Sequence, residues 1–204
     1  RKEKLAEKAC DIEINLCKEP IGKQDQYGTA IGGLKELRFQ PNGEVNISKP
    51  SISKERLELF NRNLLMLYTG KTRSASEILR EQSKELSENS KKHETVKEMV
   101  KLVANFKYEL TQGDINNLGN ILHENWIRKI SITKSITNSW IDEAYSLALQ
   151  NGAKGGKILG AGNGGFLLFL APPERHQDIV NKLTPMQKFD FTFDDKGTEI
   201  VYQD

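Results

Sequence analysis

The sequence predicts an α+β protein, and three observations carry that reading. From about residue 74 to 152 apolar residues recur at helical spacing almost without a break. Two apolar runs, Leu64-Leu65-Met66-Leu67-Tyr68 and Phe166-Leu167-Leu168-Phe169-Leu170-Ala171, are short and end at glycine or proline, as buried strands do. After residue 157 the text turns to strand, strand, helix, strand, which suits helices layered on a small sheet.

In chain order, Leu5, Ala9, Ile12 and Leu16 mark a helix over 2–17, ended by Glu19-Pro20 because proline lacks a donor and disfavours helix before it. Residues 20–28 read as a polar, glycine-bounded loop. Strands over 34–39 and 44–48 flank Pro41-Asn42-Gly43-Glu44, where Asn-Gly signals a hairpin through its tolerance of positive φ. Val96, Met99, Val100, Val103, Phe106 and Leu110 form one helical face; Ile115, Leu118, Ile121, Leu122 and Trp126 form another, with Gly113-Asp114 as stop and N-cap between them. Trp140, Ile141, Ala144, Tyr145 and Ala148 mark a further helix. The polar stretch 83–94 reads as a helix end or exposed turn. Pro172-Pro173-Glu174 opens a helix over 174–183, and strands are expected over 187–193 and 198–202.

Composition narrows the function. The 204 residues carry 30 basic and 28 acidic side chains, a net charge of +2, which excludes a strongly basic nucleic-acid binder. The longest apolar run, 166–171, falls far short of the ~20 residues a membrane helix needs. Cys10 and Cys17 are too far apart on one helix for a disulfide and read as buried thiols in a reducing cytoplasm. His93, His123 and His176 are scattered, so a His/Cys metal site is not expected. The opening Arg1-Lys2-Glu3-Lys4-Leu5 reads as the middle of a helix, which suggests a piece of a longer protein.

Gly160, Gly162 and Gly165 satisfy the dinucleotide spacing G-x-G-x-x-G, but the motif needs a helix to follow, and Phe166–Leu170 is a strand. The cluster Gly160-Ala161-Gly162-Asn163-Gly164-Gly165 instead predicts a tight loop between buried strands, able to approach a ligand or another backbone closely. Asp25, between two glutamines, is the acidic counterpart. Lys23 stands two residues away and could hold its carboxylate ionised.

Three blocks, in order, resemble a known group. Pro20-Ile21-Gly22-Lys23-Gln24-Asp25-Gln26-Tyr27 with Ala30-Ile31-Gly32-Gly33 resembles the catalytic-aspartate motif of the GHMP-superfamily sugar kinases. Tyr68-Thr69-Gly70-Lys71-Thr72-Arg73-Ser74-Ala75 resembles a second segment, and Gly156–Phe166 the C-terminal glycine motif, with Asn163 where glycine is usual. The resemblance spans essentially the whole chain and is nearest to the heptose phosphate kinases. It implies a C-terminal domain over 51–204, with helices on a small antiparallel, ferredoxin-like sheet, and a remnant of the N-terminal domain over 1–50. The group's phosphate loop would lie upstream, so the 204-residue piece alone is expected to be inactive. The resemblance further implies a cytoplasmic enzyme using ATP and Mg²⁺. Asp25 would be the base or orienter for the sugar hydroxyl, Lys23, Gln24, Tyr27, Lys71 and Arg73 substrate contacts, Gly160–Gly165 the active-site loop and Glu13 a Mg²⁺ ligand. The implied partners are a sugar phosphate and ATP, without nucleic acid or membrane, and a homodimer is compatible with it. A kinase for an unphosphorylated sugar of fucose or galactose type, or a non-catalytic domain of the same fold, is the alternative.

Overall fold

The computed structural model describes residues 1–72 and 74–202. It divides into two units, Ile52–Asp190 and a second made of Arg1–Ser51 with the segment from Phe191 onward.

The larger unit is built around the apolar run that predicted β3, Leu64–Tyr68. It pairs antiparallel along its whole length with β5, Phe166–Leu170, from Leu64 opposite Leu170 to Tyr68 opposite Phe166. β4, Gly155–Ile158, takes the other side of β5, and the two-residue β6, Gln187–Lys188, takes the other side of β3. The sheet order is β4-β5-β3-β6, the split arrangement of ferredoxin-like sheets. Side chains alternate across a strand, so Leu65, Leu67, Ile158, Leu167 and Phe169 reach one face, each fully buried. They pack on Trp126, Ile141, Ala148 and Ile179.

Five longer helices cover this unit: α3 Lys54–Arg62, α4 Ala75–Glu88, α5 Ser90–Thr111, α6 Asn117–Ile132 and α7 Ser139–Gln150. The short α8, His176–Lys182, follows a 3₁₀ turn over Pro173–Arg175. The break in the polar stretch falls at Asn89, whose carboxamide accepts from Lys91 N and so caps α5. α3 has no counterpart in the sequence reading. Ser53 caps it, accepting from Arg56 N, and Arg56 then donates to the carbonyls of Glu109, Leu110 and Gly113, holding the C-terminal end of α5.

α6 lies in backbone contact with β4. A Cβ on Gly155 would stand 1.9 Å from the Gly119 carbonyl oxygen, so only glycine fits there. β4 is an edge strand, and its outward Gly156 groups are served by a helix side chain: the Tyr145 hydroxyl accepts from Gly156 N at 3.1 Å and donates to Gly156 O at 3.2 Å. Burial pushes that hydroxyl's pKa up to about 12.

In the smaller unit α1, Lys2–Cys10, continues as a π-helix over Asp11–Leu16. Ala6, Cys10, Tyr27 and Ala30 form its core, with Ile14, Ile31, Leu37, Val45 and Ile47 against them. The hairpin β1 Glu36–Phe39 and β2 Val45–Ser48 is present. Its five-residue loop turns on Gly43, φ +88°, while Asn42 keeps negative φ, so it is not a two-residue Asn-Gly turn. The tail joins this unit: Gly33 N donates to Asp194 O at 2.6 Å and Thr198 N to Ala30 O at 3.3 Å.

Four expectations are corrected. Residues 24–31 are helix α2, Gln24–Ile31, not loop, because Tyr27 and Ala30 share a buried face and Gly32, at φ +67°, ends it. No strand forms over 198–202, and the strand expected over 187–193 stops at Lys188: Phe189 N still donates to Met66 O of β3 at 2.9 Å, but from Phe191 onward the chain belongs to the smaller unit. Cys17 is exposed, although Cys10 is buried as expected.

Candidate functional site

In the smaller unit the first turn of α2 gathers the first group. Asp25 stands exposed there, where the helix N-terminus suits a negative side chain. Its neighbour Gln26 turns inward and is only 8% exposed. Gln26 Nε2 donates to Glu13 Oε2 at 2.5 Å, which fixes the carboxamide's orientation and leaves Gln26 Oε1 buried without a hydrogen-bond partner. Glu13 lies in the π-helix, a feature that re-aims side chains and is common at functional sites. One of its oxygens is thus held by Gln26, and the other accepts no hydrogen bond among the described residues.

Lys23 does not serve Asp25. Its Nζ donates to Gly43 O at 2.9 Å, on the hairpin turn, and among the described residues Asp25 makes no ion pair. Lys23 and Tyr27 line a polar cavity of about 820 Å³ with Glu7, Asp11, Asn42 and Asn46. Tyr27 also belongs to the core, where burial raises its phenol pKa. Gln24 is exposed beside Asp25. Among the described residues no three His, Cys, Asp or Glu side chains cluster to hold a metal. A magnesium ion, which keeps waters and takes one or two carboxylates beside substrate phosphates, fits the Glu13 oxygen that Gln26 does not hold.

The larger unit holds the glycine loop between β4 and β5. Positive φ at Gly160, Gly162, Asn163 and Gly165 (+73°, +116°, +59° and +83°) makes it a compact crest. It is tied at several points. Asn163 N donates to Ile136 O at 2.7 Å, and Asn138 Nδ2 donates to Asn163 Oδ1 at 2.5 Å. Gly165 N donates to Lys71 O at 2.8 Å, and Thr69 donates to Gly165 O through both its backbone N and its Oγ1. Lys129 Nζ donates to Gly160 O at 2.7 Å. A Cβ on Gly162 would meet Ile136 O at 2.5 Å. The N–H groups of Gly160, Ala161, Gly162 and Gly164 accept no such duty among the described residues, and successive free N–H groups in a turn of this kind can hold an anion.

Lys71 is exposed, with its ammonium 4.9 Å from the Trp140 ring centroid. The structure thus brings Lys71 to the glycine loop through its backbone. Arg73 lies outside the described residues. Sequence reasoning missed Gln26, Thr69, Lys129 and Asn138. Gln26 and Thr69 sat inside the quoted blocks; Asn138 was readable as the N-cap it proves to be, accepting from Ile141 N. Nothing local marked Lys129, whose role depends on a contact 31 residues away.

Residues 106–185 match the family described as GHMP kinases C terminal. The D-glycero-alpha-D-manno-heptose 7-phosphate kinase of Campylobacter jejuni is 28% identical over 197 residues, which is 96% of this chain and 58% of that protein. The bifunctional fucokinase/GDP-fucose pyrophosphorylase of Arabidopsis thaliana is 24% identical over 173 residues, 83% of this chain and 16% of that protein. The crystal structure of a D-glycero-D-manno-heptose 1-phosphate kinase from Bacteroides thetaiotaomicron shares the fold, with a TM-score of 0.63 at 22% identity over 97% of this chain and 55% of that one. The chain thus spans little more than half of the heptose kinase it matches.

Proposed function

We propose that the protein, whose residues 106–185 match the family described as GHMP kinases C terminal, is an ATP-dependent sugar kinase acting on the anomeric hydroxyl of D-glycero-D-manno-heptose 7-phosphate. The product would be the 1,7-bisphosphate. One observation carries the reading: Asp25 is exposed on the first turn of α2 and makes no ion pair among the described residues, while its neighbour Gln26 is buried and clamped to Glu13. Such a carboxylate is available to a substrate on a backbone anchored by the Gln26–Glu13 hydrogen bond.

Phosphoryl transfer needs a positioned nucleophile and stabilisation of spread negative charge more than it needs covalent chemistry. Asp25 would orient the sugar hydroxyl and accept its proton as oxygen bonds to the γ-phosphorus and ADP departs. Glu13 would hold Mg²⁺, the ion that neutralises the phosphates. The free N–H groups of the glycine loop would contribute to the phosphate environment. Lys23, Lys71 and Arg73 are the cations we assign to a substrate that already carries a phosphate, and Gln24 and Tyr27 its further candidate contacts. Of these, Lys71 is exposed and bonded to no carboxylate among the described residues.

The similarity to a fucokinase supports a second reading, a kinase for an unphosphorylated sugar. Incubating the natural-length protein with ATP, Mg²⁺ and a panel of heptose 7-phosphate, L-fucose and D-galactose separates the two. A new anomeric phosphorus resonance only with heptose 7-phosphate supports the first. Turnover only with fucose or galactose replaces it with the second, and no turnover with any sugar favours a non-catalytic domain.

A further inference from the structure

A pocket of about 240 Å³ opens between α5 and α6, and neither the glycine loop nor the Asp25 turn contributes to it. Its walls are apolar: Leu102 and Phe106 from α5, Ile121 and Leu122 from α6. Phe106 is braced from behind by an edge contact with Phe60, at 6.1 Å between centroids. Val103 stands at the rim, 48% exposed, so the pocket is open to solvent.

Two polar side chains enter this apolar space, Asn125 from α6 and Lys157 from β4. Neither makes a hydrogen bond or ion pair among the described residues. The acidic side chains on the flanking helices are already engaged: Glu98 with Lys101 at 2.6 Å and Glu124 with Arg128 at 2.6 Å. The other charge close to Lys157 has the same sign. Lys129, whose ammonium is bound to Gly160 O, has its pKa lowered to about 8 by burial and by Lys157. Burial likewise lowers the pKa of Lys157. An ammonium drawn into an apolar pocket without a counter-charge is costly, and an anion placed beside it offsets that cost.

We propose that this pocket binds a small amphipathic carboxylate, its head held by Lys157 Nζ and the Asn125 carboxamide and its hydrocarbon body lying among Leu102, Phe106, Ile121 and Leu122. A mostly apolar pocket with a few convergent polar groups is the usual form of a small-molecule site. At about 30 Å³ per heavy atom, the share of a water in the liquid, the space holds about eight such atoms. A single-ring aromatic acid is close to that size, and a medium-chain fatty acid fits with the end of its tail passing the open rim at Val103. The lysine and the pocket are independent of the proposed phosphoryl transfer, so either reading can fail without the other.

The test is a titration of the natural-length protein, with methyl-labelled Ile, Leu, Val and Met, using octanoate and octan-1-ol as probes. Octanoate should shift the methyls of Leu102, Ile121 and Leu122 saturably and bind about tenfold or more tighter than the alcohol, since a hydrogen bond to a charged group is worth about that factor. Lys157→Met keeps the length of the side chain and removes the charge. It should lose that preference while binding octanol as before, and it should melt no lower than wild type. Lys157→Arg should keep the preference. Absence of saturable shifts at those methyls overturns the proposal, as does equal affinity for acid and alcohol in the wild type. So does an undiminished octanoate affinity in Lys157→Met.

Discussion

Asp25 and Gln26 are adjacent in the chain but meet opposite environments, one in solvent and the other buried against Glu13, because successive residues on a helix point about 100° apart. Replacing Asp25 by Asn in the natural-length protein should lower turnover by about 10²–10⁴, the usual contribution of a general base, with little change in melting temperature. Steady-state kinetics beside a thermal melt checks both halves, and near-wild-type turnover would remove Asp25 from the mechanism. Asn163 can be judged on stability alone. Glycine there keeps the left-handed turn but loses the Asn138 bond, a cost of about 1 kcal/mol. Valine should cost a further 1–2 kcal/mol or so through its Cβ. A urea titration that ranks glycine below valine would show that the backbone conformation does not limit this position. The Asp25 block and the glycine cluster were readable as motifs. The Gln26–Glu13 clamp was not, because it joins residues thirteen apart across a π-helix that no spacing rule anticipates.

Among the elements, long amphipathic helices and the two apolar strands were readable because periodicity and burial agree in them. α3 was not, and α2 was taken for loop, because short helices with few apolar residues depend on what they pack against. Arg56 shows why α3 exists in context: its guanidinium donates to three carbonyls at the end of α5. Arg56→Met, which keeps the aliphatic stem, should destabilise the protein by about 2–3 kcal/mol in urea unfolding. A loss below about 0.5 kcal/mol would mean water replaces those bonds at little cost. The tail strand was overpredicted for a related reason. Apolar and β-branched residues at Ile200 and Val201 fit a strand, but both are exposed and no neighbouring strand receives them.

For the whole molecule, buried lysines set a pH dependence whose sign can be worked out. Lys129 has a folded pKa of about 8 against an ordinary 10.5. Between those values the unfolded chain binds a proton that the folded chain has released, so this group makes the protein more stable as pH rises through that window. Lys157 acts in the same direction. The melting temperature of wild type minus that of Lys129→Met should therefore climb between about pH 8 and pH 10.5. A flat or falling difference would show that the Lys129 ammonium is solvated. The division of the chain has a further effect, on the order in which a ribosome can complete the two units. The larger unit is one continuous stretch, Ile52–Asp190, whereas the smaller one needs Asp194 and Thr198 against Gly33 and Ala30. Residues 1–51 are therefore made before the larger unit but cannot complete their own until Asp194 and Thr198, which follow it, have emerged. The unit bearing Asp25 is thus begun before the larger one and finished after it, and its apolar residues wait for their partners across the whole synthesis of Ile52–Asp190.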